Sequence, residues 1–591
     1  MHRFYYKRAV VIISVLNTTQ PDDIVMINKI SVSVDKNKKY TPATNQHNSQ
    51  PAFKGSDLGE WILKGVQACE REPMVNVTVL DLATAILPRT FFETFIGSKK
   101  KDENGKETNE RKLNIMGGFE AFRRESSGLI INCIAPSFIV WGAAKLLNKP
   151  VMGDFNKSNL TKCWANSDAL NKIEKYFKAS TGDNLEDRVY NTLKSMFDDI
   201  EGVNGDVSKD GLKKFKEIFA NDKEYEETLR NVAKNIVSDS PKKDVTKKAF
   251  ETLVKKTGIS ENIRFADDKG YFSNNLKSLL ESSSDVLHGV AKEGIEKDAD
   301  RLTKFFSKSK KLVNAKSAAG LAVIIPLAIA AQPINRWITH KLSGKKGAPL
   351  YNDGKERVLT KEEKRKLTAQ KFFAVPLMAG VAGLSMLMDR PSLKMFQFKN
   401  IFPTMDQARI ISAATFSSRI AASEDSNELK ENTIRDIATF SSFYFLGDYA
   451  AKGIATLLEY LNKDKGVQLI NRLKKQDPDA NIFKRFWNWA KHTTMKSTDE
   501  LEAIADKALR TKHKNLRSIC QLGNIAFSLI SLGVFIPLYT RTQTNKKELA
   551  KRKALNEQAA ASASVSSTGA AFGSGQSPLL KSQSFKAFLN S

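Results

Sequence analysis

Cysteine and histidine are scarce, with four and six in 591 residues. Four widely spaced thiols exclude a disulfide-stapled secreted scaffold, which relies on dense cysteines to replace a missing core. Cys69, Cys133, Cys163 and Cys520 stand far apart, and no two histidines form an H-x-x-x-H pair, so the close ligand spacing that zinc needs is absent. The phosphate-binding G-x-x-x-x-G-K-[ST] loop, the dinucleotide fingerprint and the G-x-S-x-G nucleophile elbow are absent too. No motif specifies a reaction, and no catalytic or cofactor-binding residue can be named. Only 17 Pro and 32 Gly, beside 41% hydrophobic residues, exclude a collagen-like or wholly disordered chain.

What the sequence does have is segregation. The mean hydropathy of −0.36 is that of a soluble protein, yet it averages long uncharged apolar runs with long polar stretches. Residues 128–147 carry one Lys near their end, and 317–334, 372–388 and 519–539 carry no charge. At about 1.5 Å per residue, 20 helical residues reach about 30 Å, the depth of a bilayer's hydrocarbon core. A core helix of a soluble protein usually keeps a polar stripe, and these runs have none. Trp141, Trp337 and Tyr539 fall near run ends, where amphipathic rings suit headgroup level. A further possible span, 437–458, is interrupted by Asp448 and Lys452, which share a helix face.

The expected fold is therefore all-α: a multi-pass helical membrane protein with about four spans and a soluble helical domain between the first and second, in a bacterial-type inner or plasma membrane. Residues 1–60 read as an irregular N-terminal segment; the apolar stretch 9–16 lacks a prompt cleavage pattern and suits a strand as well as a signal. Residues 61–127 read as helix with a charged linker at 97–112. Residues 148–316 read as the soluble domain, with apolar residues at i, i+3, i+4 and i+7. Two spans joined by a basic loop occupy 317–388, amphipathic and interfacial helices 389–517, and the last span 518–540. Residues 541–591 form a basic, then Ala/Ser-rich disordered tail. Most span flanks are basic, so charge does not fix the topology; placing 335–371 inside would leave both termini inside for four spans.

Net charge is +28, from 93 basic and 65 acidic residues. Residues 151–316 hold 31 basic and 28 acidic residues, so the excess is not concentrated on one module as in a nucleic-acid-binding domain. Basic flanks beside apolar runs point to anionic lipid headgroups as partners, and the balanced block to a protein partner. Residues 405–423, rich in Ser and Ala with Arg409 and Arg419, suit a helix packed closely on a neighbour. Residues 481–492 interleave aromatics with Lys484, Arg485 and Lys491, which fits either a helix lying in an anionic membrane surface or a domain helix burying its aromatic face.

Two further sets of residues carry chemical interest. Asp206-x-Ser208-x-Asp210-Gly211, with Glu217 at loop position twelve, resembles an EF-hand calcium loop, the one cofactor the sequence suggests. Four nearby lysines oppose a cation, and an Asp-Gly turn opening a helix is the plainer reading. Asn132, Asp448 and Lys452 are the intramembrane polar candidates, because polar groups at membrane depth are costly to keep without a role. The functional expectation is a non-enzymatic membrane scaffold or assembly protein. The alternatives are a transporter or channel component, suggested by apolar stretches meeting Pro88, Pro136, Pro326, Pro376 and Pro537, and a soluble basic helical binding protein with buried apolar helices.

Overall fold

The computed structural model describes residues 63–67, 73–95, 99–101 and 107–111; 113–343 apart from 114, 156, 159, 161–162, 164 and 208–210; 359–388 and 393–398; and 403–536 apart from 476–478, with 539. The N-terminal segment 1–60 and the tail 541–591 lie outside the described residues. What is described is mostly helical, with a few short strands.

α1 comprises Pro73–Asp81, a π-turn Leu82–Ile86 and Leu87–Phe95. β1 (Lys99–Lys101) and β2 (Glu107–Arg111) follow; α2 then runs through Ile115–Leu129, a π-turn Ile130–Ile134 and Ala135–Met152. Next come α3 (Ser167–Ala179), α4 (Leu185–Asp198), β3 (Ile200–Gly202), β4 (Lys213–Lys214), α5 (Phe215–Ile218), α6 (Lys223–Val237) and α7 (Lys243–Thr257). β5 (Ile263–Phe265), α8 (Leu276–Glu293), α9 (Ala299–Ser343), α10 (Lys361–Met388) and α11 (Met405–Ala421) continue the chain. α12 comprises Ser426–Ser441, a π-turn Ser442–Leu446 and Gly447–Leu461. β6 (Ile470–Arg472), α13 (Ile482–His492), β7 (Thr493–Met495), α14 (Thr498–Glu502) and α15 (Lys507–Ser528, continued by a π-turn Leu529–Phe535) complete it.

Residues from Met152 to Val313 share one core and form a head. α3, α4, α6 and α8 start at Asn166, Asn184, Asp222 and Asn275, whose side chains accept first-turn N–H groups. Gly258 and Gly294, in the left-handed region at φ +68° and +61°, end α7 and α8. The apolar stripes of these helices meet around Phe177, Leu193, Phe197, Leu229, Leu280 and Phe306, all buried. A small antiparallel sheet, ordered β4-β3-β5, closes one side. The β6–β7 hairpin, far along the chain, docks beside it: Arg472 N donates to Gly205 O at 2.8 Å, Val207 N to Arg472 O at 3.1 Å, and Lys496 Nζ to Asn204 Oδ1 at 2.8 Å.

The other helices form an antiparallel bundle, and individual bonds fix their directions. Arg123, early in α2, reaches Asn335 Oδ1 and Thr339 Oγ1 late in α9, each at 2.7 Å, whereas Lys308, early in α9, reaches Met152 O at the end of α2. Arg89 meets Glu125 and Thr94 lies against Gly118, which makes α1 antiparallel to α2. Tyr444 beside Ser412, with Asp436 beside Arg419, makes α11 antiparallel to α12. Gln397, just after α10, bonds Ser167 and Asn314, which brings the chain back to the head. The described residues of 153–298, 393–404 and 462–506 therefore lie at the head end, and α1, α9, α11 and α15 run out to the distal end. α9, 45 residues long and about 67 Å, belongs to both parts.

Five helices are long and apolar enough to cross a membrane: Val75–Phe95, Gly117–Met152, Ala299–Leu342, Lys361–Leu387 and Lys507–Phe535. Four of them contain the uncharged runs, and Val75–Phe95 is additional. The possible span 437–458 lies in α12 and is not among the five. The linker at 97–112 contains a two-stranded antiparallel ladder in which Lys99 pairs with Arg111 and Lys101 with Glu107.

Candidate functional site

α11 and the first half of α12 are the polar helices of the bundle, and they sit inside it. A capping box of Thr404 and Gln407 starts α11, and Asp425 caps α12. Both helices turn polar stripes inward: Arg409, Ser412, Thr415 and Arg419 on α11, and Glu428, Asn432 and Asp436 on α12, are all buried. A buried charge is tolerated only when paired, and here the pairs are present. Arg419 Nη1 contacts Asp436 Oδ1 at 3.1 Å and its Nη2 contacts Glu125 Oε2 at 3.4 Å; Arg89 reaches Glu125 Oε1 at 2.8 Å. Arg435 lies 3.3 Å from Asp436, and Arg124 is buried nearby. Half-buried Asp81 feels both Glu125 and Arg419. Three acids and four arginines thus converge from α1, α2, α11 and α12.

The backbone loosens around this cluster. In α1, α2, α12 and α15 the N–H groups of Leu87, Ala135, Gly447 and Ile536 bond carbonyls five residues back, at Leu82, Ile130, Ser442 and Ser531. Pro88 and Pro136 come two residues after the first two of these π-turns, as expected where a missing N–H opens the i−4 ladder, and the sequence repeats that spacing with Pro537 after the last. The turns adjoin one another: Gly533 sits against Thr84 and Pro88, and Ser442 Oγ and Ser531 Oγ are 3.4 Å apart. Asn132, in the π-turn of α2, accepts from Thr415 Oγ1 at 3.0 Å, and Tyr444, in that of α12, bonds Ser412 at 2.6 Å. Such widened turns recur at functional sites.

Asn132 belongs to this centre; the other polar candidates do not. Asp448 is exposed on α12, and Lys452 Nζ donates to Ala490 O of α13 at 3.4 Å. Of the calcium-loop residues, Ser208 and Asp210 lie outside the described residues. Glu217 lies 3.5 Å from Lys214 Nζ, and Asp206 pairs its backbone with Arg472. Among the described residues no three or more His, Cys, Asp or Glu side chains gather as a metal site. Asp81, Arg89, Glu125 and Asp436 escaped sequence reasoning because they come from three separate helices; the signal that could have flagged their level was the echo of apolar stretches meeting proline.

In the head, a carboxyl pair joins the late segment to the early one. Glu500, buried in α14, accepts from Ser260 N (3.2 Å), Glu261 N (3.1 Å), Ser497 N (2.9 Å) and Asn471 Nδ2 (3.2 Å). Burial, then the facing Glu500, pushes the Glu261 carboxyl up to about 7, and only Asn275 at 3.0 Å and Ser260 at 3.5 Å oppose that. Burial also pushes the Glu500 carboxyl up, against the backbone N–H donors of Ser497, Ser260 and Glu261 and the charge of Lys496.

Comparison with protein-family models, curated proteins and solved structures finds no match.

Proposed function

We propose that this chain is a non-enzymatic integral membrane scaffold or assembly protein. Five apolar helices face lipid, in place of the four spans read from sequence, and enclose the polar pair α11 and α12. Basic helix ends hold anionic headgroups, and the head binds a protein partner. The supporting observation is what the apolar helices leave uncovered: only 22–33% of each apolar window is buried by the rest of the chain. Phe138, Leu146, Trp337, Phe372, Phe373 and Leu387 are 61–79% exposed. At roughly 120 Å² each they leave roughly 700 Å² of apolar side chain uncovered across α2, α9 and α10. The same observation argues against a soluble protein that buries its own apolar helices. The head's near-balance of charge suits a protein surface better than nucleic acid. An inner or plasma membrane is the location this reading implies. Alkaline carbonate extraction of native membranes tests it: the chain should remain in the pellet and require detergent for release.

A transporter or channel component is a second reading, favoured by the π-turns gathered around enclosed charge. Proteoliposome flux abolished by Asp436→Asn would support it over the scaffold. Asp448→Asn, at an exposed position, should leave such flux unchanged.

A further inference from the structure

The first two turns of α13 stand clear of the rest of the protein on their apolar and basic sides alike, and the helix meets the protein through its last turn. Ile482, Phe483, Phe486 and Trp487 are 50–84% exposed, and Ala490 is the one buried residue of the helix. At 100° per residue these apolar side chains share one arc, and Lys484, Arg485 and Lys491 share the opposite one. The helix is nevertheless held in place. Trp489 Nε1 donates to Thr456 Oγ1 at 3.1 Å, the Tyr449 and Trp489 rings lie 6.2 Å apart, and Lys452 donates to Ala490 O. A fixed helix that left four large apolar side chains in water would forgo the free energy of burying them.

Its height on the bundle is defined as well. α13 meets α12 between Tyr449 and Thr456, and that stretch of α12 packs on α15 where Ile454 touches Gly523. Gly523 lies near the head-end start of the uncharged run 519–539. α13 therefore lies at the level where the apolar belt gives way to the head, beside Leu457, Tyr460 and Leu461, which are exposed on the last turns of α12. A bilayer's acyl–headgroup boundary is the environment that suits an apolar arc below and a cationic arc above.

We infer that α13 is a membrane-interface helix: Ile482, Phe483, Phe486 and Trp487 enter the acyl boundary of the head-side leaflet, and Lys484, Arg485 and Lys491 hold anionic lipid headgroups. The inference rests on the lipid-facing reading of the five apolar helices, and its test separates the two. The photo-crosslinker benzoyl-phenylalanine, installed in the full chain in place of Phe486 or, as a control, in place of Phe373 on α10, is irradiated in membranes containing a known share of anionic lipid. Both positions should yield lipid adducts, with anionic lipid at Phe486 enriched about threefold or more over its bulk share. The enrichment should fall to the bulk share in the Lys484→Gln/Arg485→Gln/Lys491→Gln variant. A protein adduct at Phe486, or lipid at Phe373 and none at Phe486, overturns the inference and leaves the membrane reading standing. Lipid at neither position overturns both. Enrichment unchanged in the triple variant overturns the assignment of the three basic residues.

Discussion

Arg419 joins the acids of the bundle interior, bridging Asp436 on α12 and Glu125 on α2. Removing one partner of a buried pair strands the other, so Asp436→Leu should destabilise the detergent-solubilised protein by about 3–5 kcal/mol in thermal unfolding. Arg419→Met combined with Asp436→Leu should recover part of that loss, because the desolvated charge disappears with its partner. Additive losses would show that the pair is not coupled as the geometry requires. In the head, Glu261 has a folded-state pKa raised from its ordinary 4.5 to about 7, so the folded form binds the extra proton. Its contribution to stability is fully present below about pH 4.5 and is lost as pH rises through about 7. Glu261 should therefore make the head less stable at pH 8 than at pH 5 by on the order of 2 kcal/mol, and Glu261→Gln should reduce the difference in hydrogen exchange across α14 and β5, leaving the share of Asp285, which burial raises to about 6. At this scale the sequence was only partly informative. Asn132 was legible because an amide in an uncharged run stands out, whereas Glu125 and Asp436 lie in ordinary charged stretches and acquire meaning only when the helices assemble.

Helix contacts at the element scale depend on small residues where backbones approach closely. A Cβ on Gly320 of α9 would sit 2.6 Å from Val140 Cγ2 of α2, and a β-branched Val has little freedom to turn aside. Gly320→Val should cost about 1–3 kcal/mol in detergent, and Val140→Ala on that background should restore some of it, as thermal unfolding of the two variants would register. The four uncharged runs were legible because each keeps an apolar character all round over a length that could cross a bilayer. Val75–Phe95 was less so: Asp81, Arg89, Glu93 and Pro88 dilute its apolar character, and two of these charges matter only for their partners on α2 and α11. β6 and β7, three residues each, carry no period long enough to read, and their pairing with residues near Gly205 spans more than 250 positions of sequence. For residues 481–492 the pattern alone left two readings open, and exposure of the aromatic face now favours the interfacial one.

For the whole molecule, the alternation of helix directions does not turn the flanking charge into an orientation. Segments 96–114, 344–360 and 537–591, which follow distal helix ends in sequence, carry 18 Lys and Arg, against 22 in 1–72, 389–404 and 462–506, which adjoin head-side helix ends. A membrane-impermeant maleimide applied to intact cells decides the orientation: label on Asp183→Cys with Thr544→Cys spared places the head outside, and the reverse pattern places it inside. α9 ties the two parts mechanically, because the helix that contributes Phe305 and Phe306 to the head core also contributes Ile324 and Ala328 to the bundle.

The central claim is that lipid covers the apolar belt, and the most direct measurement is sedimentation of the purified chain as detergent is withdrawn. The account predicts a monodisperse particle only while amphiphile is bound, with association or precipitation once it is removed, because the belt would then face water. A folded 65.9 kDa monomer that persists in amphiphile-free buffer would contradict it.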